Sequence, residues 1–195
     1  NRQLFVVRRF DRDADGRPLG FEDMAVLMSK RASDKYVGSY ENIARAIKLY
    51  CQGPLADRSL EQFFDQVALT CIVGNGDAHL KNFGLLYTVP GANDARLAPA
   101  FDIVNTTSYI EEDSLALTLG GNKSLFASRL NILEFARKFD IGNPKDRIRQ
   151  ILAAVDTTLS EQRHLLAEHP AIEAAIRAGF QQFSATFNEK PGPRR

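Results

Sequence analysis

Gly74-Asn75-Gly76-Asp77-Ala78-His79-Leu80-Lys81-Asn82-Phe83, followed by Pro99-Ala100-Phe101-Asp102, decides how this chain is read. The first stretch is a polar loop. It follows a strongly apolar helical pattern, so its side chains project from a rigid support, and two short strand-like runs come after it. A second acid, Asp102, stands directly beyond those runs. Asn-Gly-Asp alone is ordinary turn sequence, because Asn and Asp bond their own backbone and tolerate left-handed geometry. A helix-to-hairpin connection with solvated polar residues is therefore the plain alternative. The ordered set Asp77, Asn82 and Asp102 is the reason to look further.

Upstream, residues 59–62 (Ser, Leu, Glu, Gln) read as a capping box, in which side chains satisfy the free amides of a helix start. The helix it opens carries Leu60, Phe63, Phe64, Val67, Ala68, Cys71 and Ile72 on one broad face and is expected to be the most buried one; Gly74 ends it. Before it, Ser39 is expected to cap a helix over 40–51 with Ile43, Ala44, Ile47 and Tyr50 on one face, ended by Gly53-Pro54. Met24, Leu27 and Met28 give residues 22–30 a helical spacing. Residues 13–18 read as a turn, and 4–7 as a short buried strand leading into Arg8, Arg9 and Phe10.

Downstream, residues 83–88 and 95–98 read as two strands around the turn 90–94. Residues 114–119 alternate as a half-buried strand does. Gly120-Gly121-Asn122-Lys123-Ser124 lacks phosphate-loop spacing and reads as a turn followed by an N-cap. Further helix starts are expected at Asn131 with Glu134, at Asn143-Pro144 and at Pro170. Residues 188–195 read as a frayed tail. The expected class is mainly α with short β-hairpins, one domain over 1–187.

Lys and Arg total 25 against 24 Asp and Glu, a net charge of +1. That balance exerts no bulk pull towards nucleic acid or an anionic membrane. No apolar run is long enough to span a bilayer and no secretory signal stands at the first residue, which is not Met; a cytoplasmic protein, trimmed or truncated, is expected. Cys51 and Cys71 lie in apolar helical patterns and are expected as buried, reduced thiols. His79, His164 and His169 are too scattered to suggest zinc.

The chemistry that needs an Asp, an Asn five residues on and a later Asp is phosphoryl transfer. One carboxylate orients or deprotonates the attacking hydroxyl, while an amide oxygen and a second carboxylate hold the ions that bridge nucleotide phosphates. Protein kinases arrange the same set on a catalytic loop and a segment following a strand.

With these residues in view, the chain resembles the HipA-like serine/threonine kinases, the toxins of bacterial type II toxin–antitoxin modules. The likeness rests on residues 76–83 and 97–103, on Arg9-Phe10-Asp11-Arg12, on Glu22-Asp23-Met24, on Lys35-Tyr36, and on residues 115–121 followed by Phe135-Ala136. It implies a kinase-like C-terminal lobe with most of the N-terminal lobe absent. Residues 1–12 would be the last strand and hinge, and 75–102 the catalytic and metal-binding segment. It implies Asp77 as the catalytic carboxylate, Asn82 and Asp102 as Mg²⁺ ligands, and His79 and Lys81 near the phosphates. Phe10 and Arg9 would lie at the ATP hinge; Arg8 stands where family members carry an acid. For His79 a loop-packing role, for Lys81 a solvated charge and for Phe10 a core aromatic are the plain alternatives.

The resemblance further implies transfer of the ATP γ-phosphate to a protein hydroxyl, aminoacyl-tRNA synthetases being family substrates. The partner would be a HipB-like DNA-binding antitoxin, with DNA reached only through it. The Gly-rich loop and the strand Lys of a kinase belong upstream of the hinge, so the chain alone is expected to bind ATP poorly and be inactive. Two other functions fit part of the pattern. A small-molecule phosphotransferase of the aminoglycoside or choline kinase type also uses Gly-Asp-x-His-x-x-Asn. A non-catalytic kinase-like module would grip a partner through residues 124–187.

Overall fold

The computed structural model describes residues 6–110 and 112–187. Its centre is α3, Pro54–Val73, twenty residues long. Pro54 sits in the first turn, where its missing N–H costs nothing. Gly74 closes the helix in left-handed geometry (φ 69°) and its N–H returns to the Thr70 carbonyl, as the apolar pattern predicts. Leu60, Phe63, Phe64, Val67, Ala68, Cys71 and Ile72 are all buried. Against α3 pack α2 (Tyr40–Tyr50), α4 (Leu125–Lys138), α5 (Pro144–Glu161) and α7 (Pro170–Phe187). Short helices α1 (Met24–Leu27) and α6 (Arg163–Leu166) complete the set.

The centre of the core is aromatic. Phe63 meets Phe83 edge-on at 5.2 Å, and Tyr40 and Phe135 at 6.4 and 6.0 Å. Each fully buried ring of this size contributes roughly 1.5–3 kcal/mol through lost water contact. Cys51 and Cys71 are free and buried, as expected, and burial pushes the Cys71 thiol up to about 12. Among the described residues no helix is long and apolar enough to cross a membrane.

A three-stranded antiparallel sheet covers one end of α3. Its order is β1 (Gly20–Asp23), β2 (Gly84–Tyr87) and β3 (Arg96–Leu97), with Phe21 opposite Leu86 and Leu85 opposite Leu97. β2 and β3 are the expected hairpin, each shorter by one residue at each end. β1 replaces the first turns of the helix read over 22–30: pairing with β2 holds Glu22 and Asp23 extended, and only Met24–Leu27 is helical. Asp23 then caps α1, accepting from the Val26 N–H at 2.9 Å.

Other local readings give way to tertiary partners. Ser59 lies inside α3; its hydroxyl accepts from the Leu97 N–H at 3.0 Å and fastens β3 to the helix instead of capping it. Gly53-Pro54 starts α3, while α2 already ends at Tyr50. Asn131 is interior to α4, and its amide donates to the Leu119 carbonyl. The start of α4 is Ser124, the N-cap read after the glycine turn, which accepts from the Ala127 N–H. Residues 114–119 form no strand. Leu115, Ala116, Leu117 and Leu119 are all buried, and the segment is held by isolated bridges, Thr118 to Ser39 and Leu119 to Asn122. In the run read as a strand over 4–7, Leu4 and Phe5 lie outside the described residues. Val6 and Val7 are exposed and unpaired in any sheet. The tail 188–195 also lies outside. Ser39, Asn143-Pro144 and Pro170 begin α2, α5 and α7 as expected.

Candidate functional site

The polar loop starts where α3 stops. Its backbone is fixed from both sides by side chains. Asn75 is fully buried and its Oδ1 accepts from the Asp77 N–H at 3.0 Å, an Asx turn. The Gly76 N–H donates to Thr106 Oγ1 at 2.7 Å, and Thr106 in turn bonds Asp113. Asn105 donates to the Val73 carbonyl at 2.7 Å and the Thr106 N–H to the Gly74 carbonyl at 3.0 Å, satisfying the end of α3. On the other side the Tyr40 hydroxyl donates to the Ala78 carbonyl, and the Leu80 N–H to the Lys35 carbonyl.

Within the loop a 3₁₀ turn, Leu80–Asn82, aims Asn82 at the second acid. Asn82 Oδ1 accepts from the His79 N–H at 3.0 Å, and Asn82 Nδ2 donates to Asp102 Oδ2 at 2.6 Å. Asp102 is placed by the hairpin. Gln62 and Gln66 of α3 both donate to the Ala98 carbonyl, at 2.8 and 3.0 Å, and pin the chain just before it. Asp102 itself has φ 55°, a left-handed conformation that a non-glycine residue adopts at some cost.

Asp77 is half-buried. Tyr36 donates to its Oδ1 at 2.6 Å, and the Tyr36 ring packs edge-on against His79 at 5.1 Å. His79 is buried; burial first, then the Lys35 ammonium, holds its pKa below the ordinary imidazole value, although Asp77 and Asp102 pull the other way. The ring is therefore neutral at neutral pH. Its Nδ1 is buried without a protein partner among the described residues.

Lys35, His79, Lys81, Asn82, Phe101 and Asp102 line one cleft of about 460 Å³. Two lysines thus line the same space as the Asn82–Asp102 pair. Phe10 stacks on Phe101 at 5.2 Å, with Phe21 edge-on to both, so the segment 8–12 abuts the residue preceding Asp102. Arg9 does not line the cleft. It is exposed and bonded to Asp11, which raises the Arg9 pKa and lowers that of Asp11. Asp77 does not line it either, and connects to it through Tyr36 and His79.

The donor set suits a small hard cation. Asn82 Oδ1 keeps a lone pair after accepting from His79, and Asp102 offers a carboxylate. Mg²⁺ binds through one or two such groups and fills the rest of its shell with water and phosphate oxygens. Among the described residues no cluster of three or more His, Cys, Asp or Glu is placed to hold a metal ion.

Sequence reading misses the support given by Asn105, Thr106 and Asp113, and names Lys35 only within a motif, with no role. The polar run Asn105-Thr106-Thr107-Ser108 was the available signal: side chains that bond nearby backbone do so at helix ends. Tyr36 was noted only as part of a motif, with no role.

Comparison with known proteins places the chain in a family. The chain is 32% identical over 142 residues to the Sinorhizobium fredii protein named "Putative kinase Y4dM", covering 71% of this chain and 33% of that protein. It is 34% identical over 116 residues to a Haemophilus influenzae protein named "Putative kinase", covering 55% of this chain and 32% of that one. The chain thus spans about a third of the length of these curated relatives. Its fold matches HipA in the Shewanella oneidensis MR-1 complex of HipA, HipB and operator DNA, with a TM-score of 0.71 at 17% identity, over 91% of this chain and 47% of that one. The model of the HipA-like C-terminal domain matches residues 1–162, and the chain belongs to that family.

Proposed function

We propose that this chain is the catalytic C-terminal lobe of a serine/threonine protein kinase that transfers the γ-phosphate of ATP to a protein hydroxyl. The observation that carries the proposal is the 2.6 Å contact between Asn82 and Asp102, made across one cleft with Lys35 and Lys81. The Asn82 amide, holding the Asp102 carboxylate through its Nδ2–H and keeping an Oδ1 lone pair, together with that carboxylate and two lysines in the same cleft, offers what a metal-bound triphosphate requires.

Asn82 and Asp102 would hold Mg²⁺, which neutralises charge on the phosphates when bound. Lys35 and Lys81 supply further positive charge to the same space. The acceptor hydroxyl oxygen attacks the γ-phosphorus, the bond to the β-phosphate oxygen breaks, ADP leaves, and the hydroxyl proton passes to Asp77. His79, neutral and buried, supports the loop by packing and does not supply charge. Phe10, stacked on Phe101, carries the hinge segment to the nucleotide edge of the cleft; Arg9 is held away by Asp11.

By the same family reading, the full protein is the toxin of a cytoplasmic toxin–antitoxin pair. A HipB-like DNA-binding antitoxin would restrain it, as in the complex of its structural neighbour, and an aminoacyl-tRNA synthetase is a candidate substrate. The test is D77N in the full-length gene product. Transfer of γ-phosphate to total cell protein should fall by about 10²–10⁴-fold, the contribution of a general base. The melting temperature should hold, and expression of a growth-arresting parent should become harmless. Undiminished transfer would overturn the proposal.

A further inference from the structure

Tyr36 is not accounted for by the donor set described above. Its hydroxyl donates to Asp77 Oδ1 at 2.6 Å across 41 residues of sequence, the short range of a hydrogen bond to a charged acceptor. The contact is built on three sides. The ring lies edge-on to His79, the Lys35 ammonium stands 4.8 Å above the ring, and the Lys35 carbonyl accepts from the Leu80 N–H at 3.1 Å. The segment is fastened again two residues on, where the Thr118 N–H donates to the Gly38 carbonyl at 3.2 Å. A side chain that only covered surface would not need this frame. The hydrogen bond to Asp77 also raises the Tyr36 pKa, so the phenol stays protonated as a donor.

We infer that Tyr36 is the positioning residue for Asp77: it occupies Oδ1, fixes the plane of the carboxylate, and leaves Oδ2 to receive the substrate hydroxyl. This rests on the reading of Asp77 as the proton-accepting carboxylate. The physical need is plain. Asp77 sits in a loop, half-buried, and its main-chain N–H is the group held by Asn75, so the Asx turn orders the backbone and not the carboxyl. A general base works within about 2.6–3.2 Å of its proton, and displacement by about 1 Å costs on the order of 10²-fold. Tyr36 removes the rotation that would cause such a displacement.

The experiment uses the full-length gene product as wild type, Y36F and D77N, with ATP and total cell protein as acceptor. Y36F keeps the ring and its contacts and removes only the donor. Its transfer rate at saturating ATP should fall about 10–100-fold while KM for ATP and the melting temperature stay unchanged. A second readout is independent of activity. Difference absorbance between wild type and Y36F isolates the Tyr36 phenol from the protein's other tyrosines. Its titration, with Lys35, His79 and Asp77 as the charged and titratable neighbours, should move to lower pH in D77N. An unchanged or faster rate in Y36F, with D77N inactive, overturns the positioning role and makes Tyr36 a bystander or a competitor for the hydroxyl's place. A Tyr36 titration unmoved by D77N overturns the contact itself. Activity retained in D77N overturns the catalytic reading beneath it.

Discussion

Two neighbouring regions of this protein are held together by opposite means. In the helical scaffold, Phe63, Phe64, Val67 and Ile72 of α3 are wholly buried among other apolar side chains. In the polar segment at the end of α3, order comes from side chains bonded to backbone: Thr106 on Gly76, Asn105 on Val73, Asn75 on Asp77, Gln62 and Gln66 on Ala98. Burial is proportional to area and indifferent to direction. Hydrogen bonds are directional and individually modest, about 0.5–1.5 kcal/mol net each. The scaffold can therefore supply stability without setting any atom finely. The polar segment sets Asp77, Asn82 and Asp102 in place through directional bonds that are each modest. The same sequence thus separates the cost of folding from the precision of the site.

The largest effect should come from the scaffold. Phe63→Ala removes a ring that meets Tyr40, Phe83 and Phe135. Loss of transfer energy and the cavity left behind should cost about 3–5 kcal/mol. Denaturant unfolding measures it. Whatever protein remains folded at low temperature should keep its Tyr36–Asp77 contact, visible in the tyrosine titration. A cost below about 1 kcal/mol would mean that the aromatic cluster is not the centre of the core.

Gly76→Ala addresses the other region. A Cβ at this position would stand 2.1 Å from Asp113 Oδ2 and 2.5 Å from its Cγ. To turn aside, Asp113 must give up the hydrogen bond its carboxylate accepts from Thr106, which holds the Gly76 N–H. Forced repacking of this kind costs about 1–3 kcal/mol. Hydrogen exchange should rise across residues 75–82 and not across α3, and phosphate transfer in the full-length protein should fall with the loop. Uniformly faster exchange would show that the two regions unfold as one and erase the distinction.

How much of this was legible follows the same division. The helices were readable because their apolar spacing is local: α2, α3, α5 and α7 fall close to where periodicity and the signals at Ser39, Gly74, Pro144 and Pro170 place them. Errors arose where a distant partner claimed a local signal. Ser59 and Asn131 have the chemistry of caps, but Leu97 and Leu119 use them. β1 is a strand because β2 pairs with it, and nothing in Gly20–Asp23 says so alone. In the site, spacing pointed to the Asn82–Asp102 contact. Tyr36 was out of reach, since no periodicity links it to a carboxylate 41 positions away.

The smallest stability effect belongs to Lys81. It is exposed, stands beside Asn82 and lines the cleft with Lys35. Its long side chain is hydrated, and among the described residues no acid pairs with it in an ion pair. Lys81→Ala should therefore change unfolding free energy by no more than about 0.5 kcal/mol, as exposed substitutions do. In the full-length protein the same change removes one of two positive charges proposed to face the nucleotide phosphates. KM for ATP should rise, and the salt dependence of that rise should flatten as screening loses a charge to act on. The pairing of unchanged stability with weakened nucleotide use is what separates this region from α3. If Lys81→Ala lowers stability by more than about 1 kcal/mol, the side chain is structural, and the charge facing the cleft must be credited to Lys35 alone.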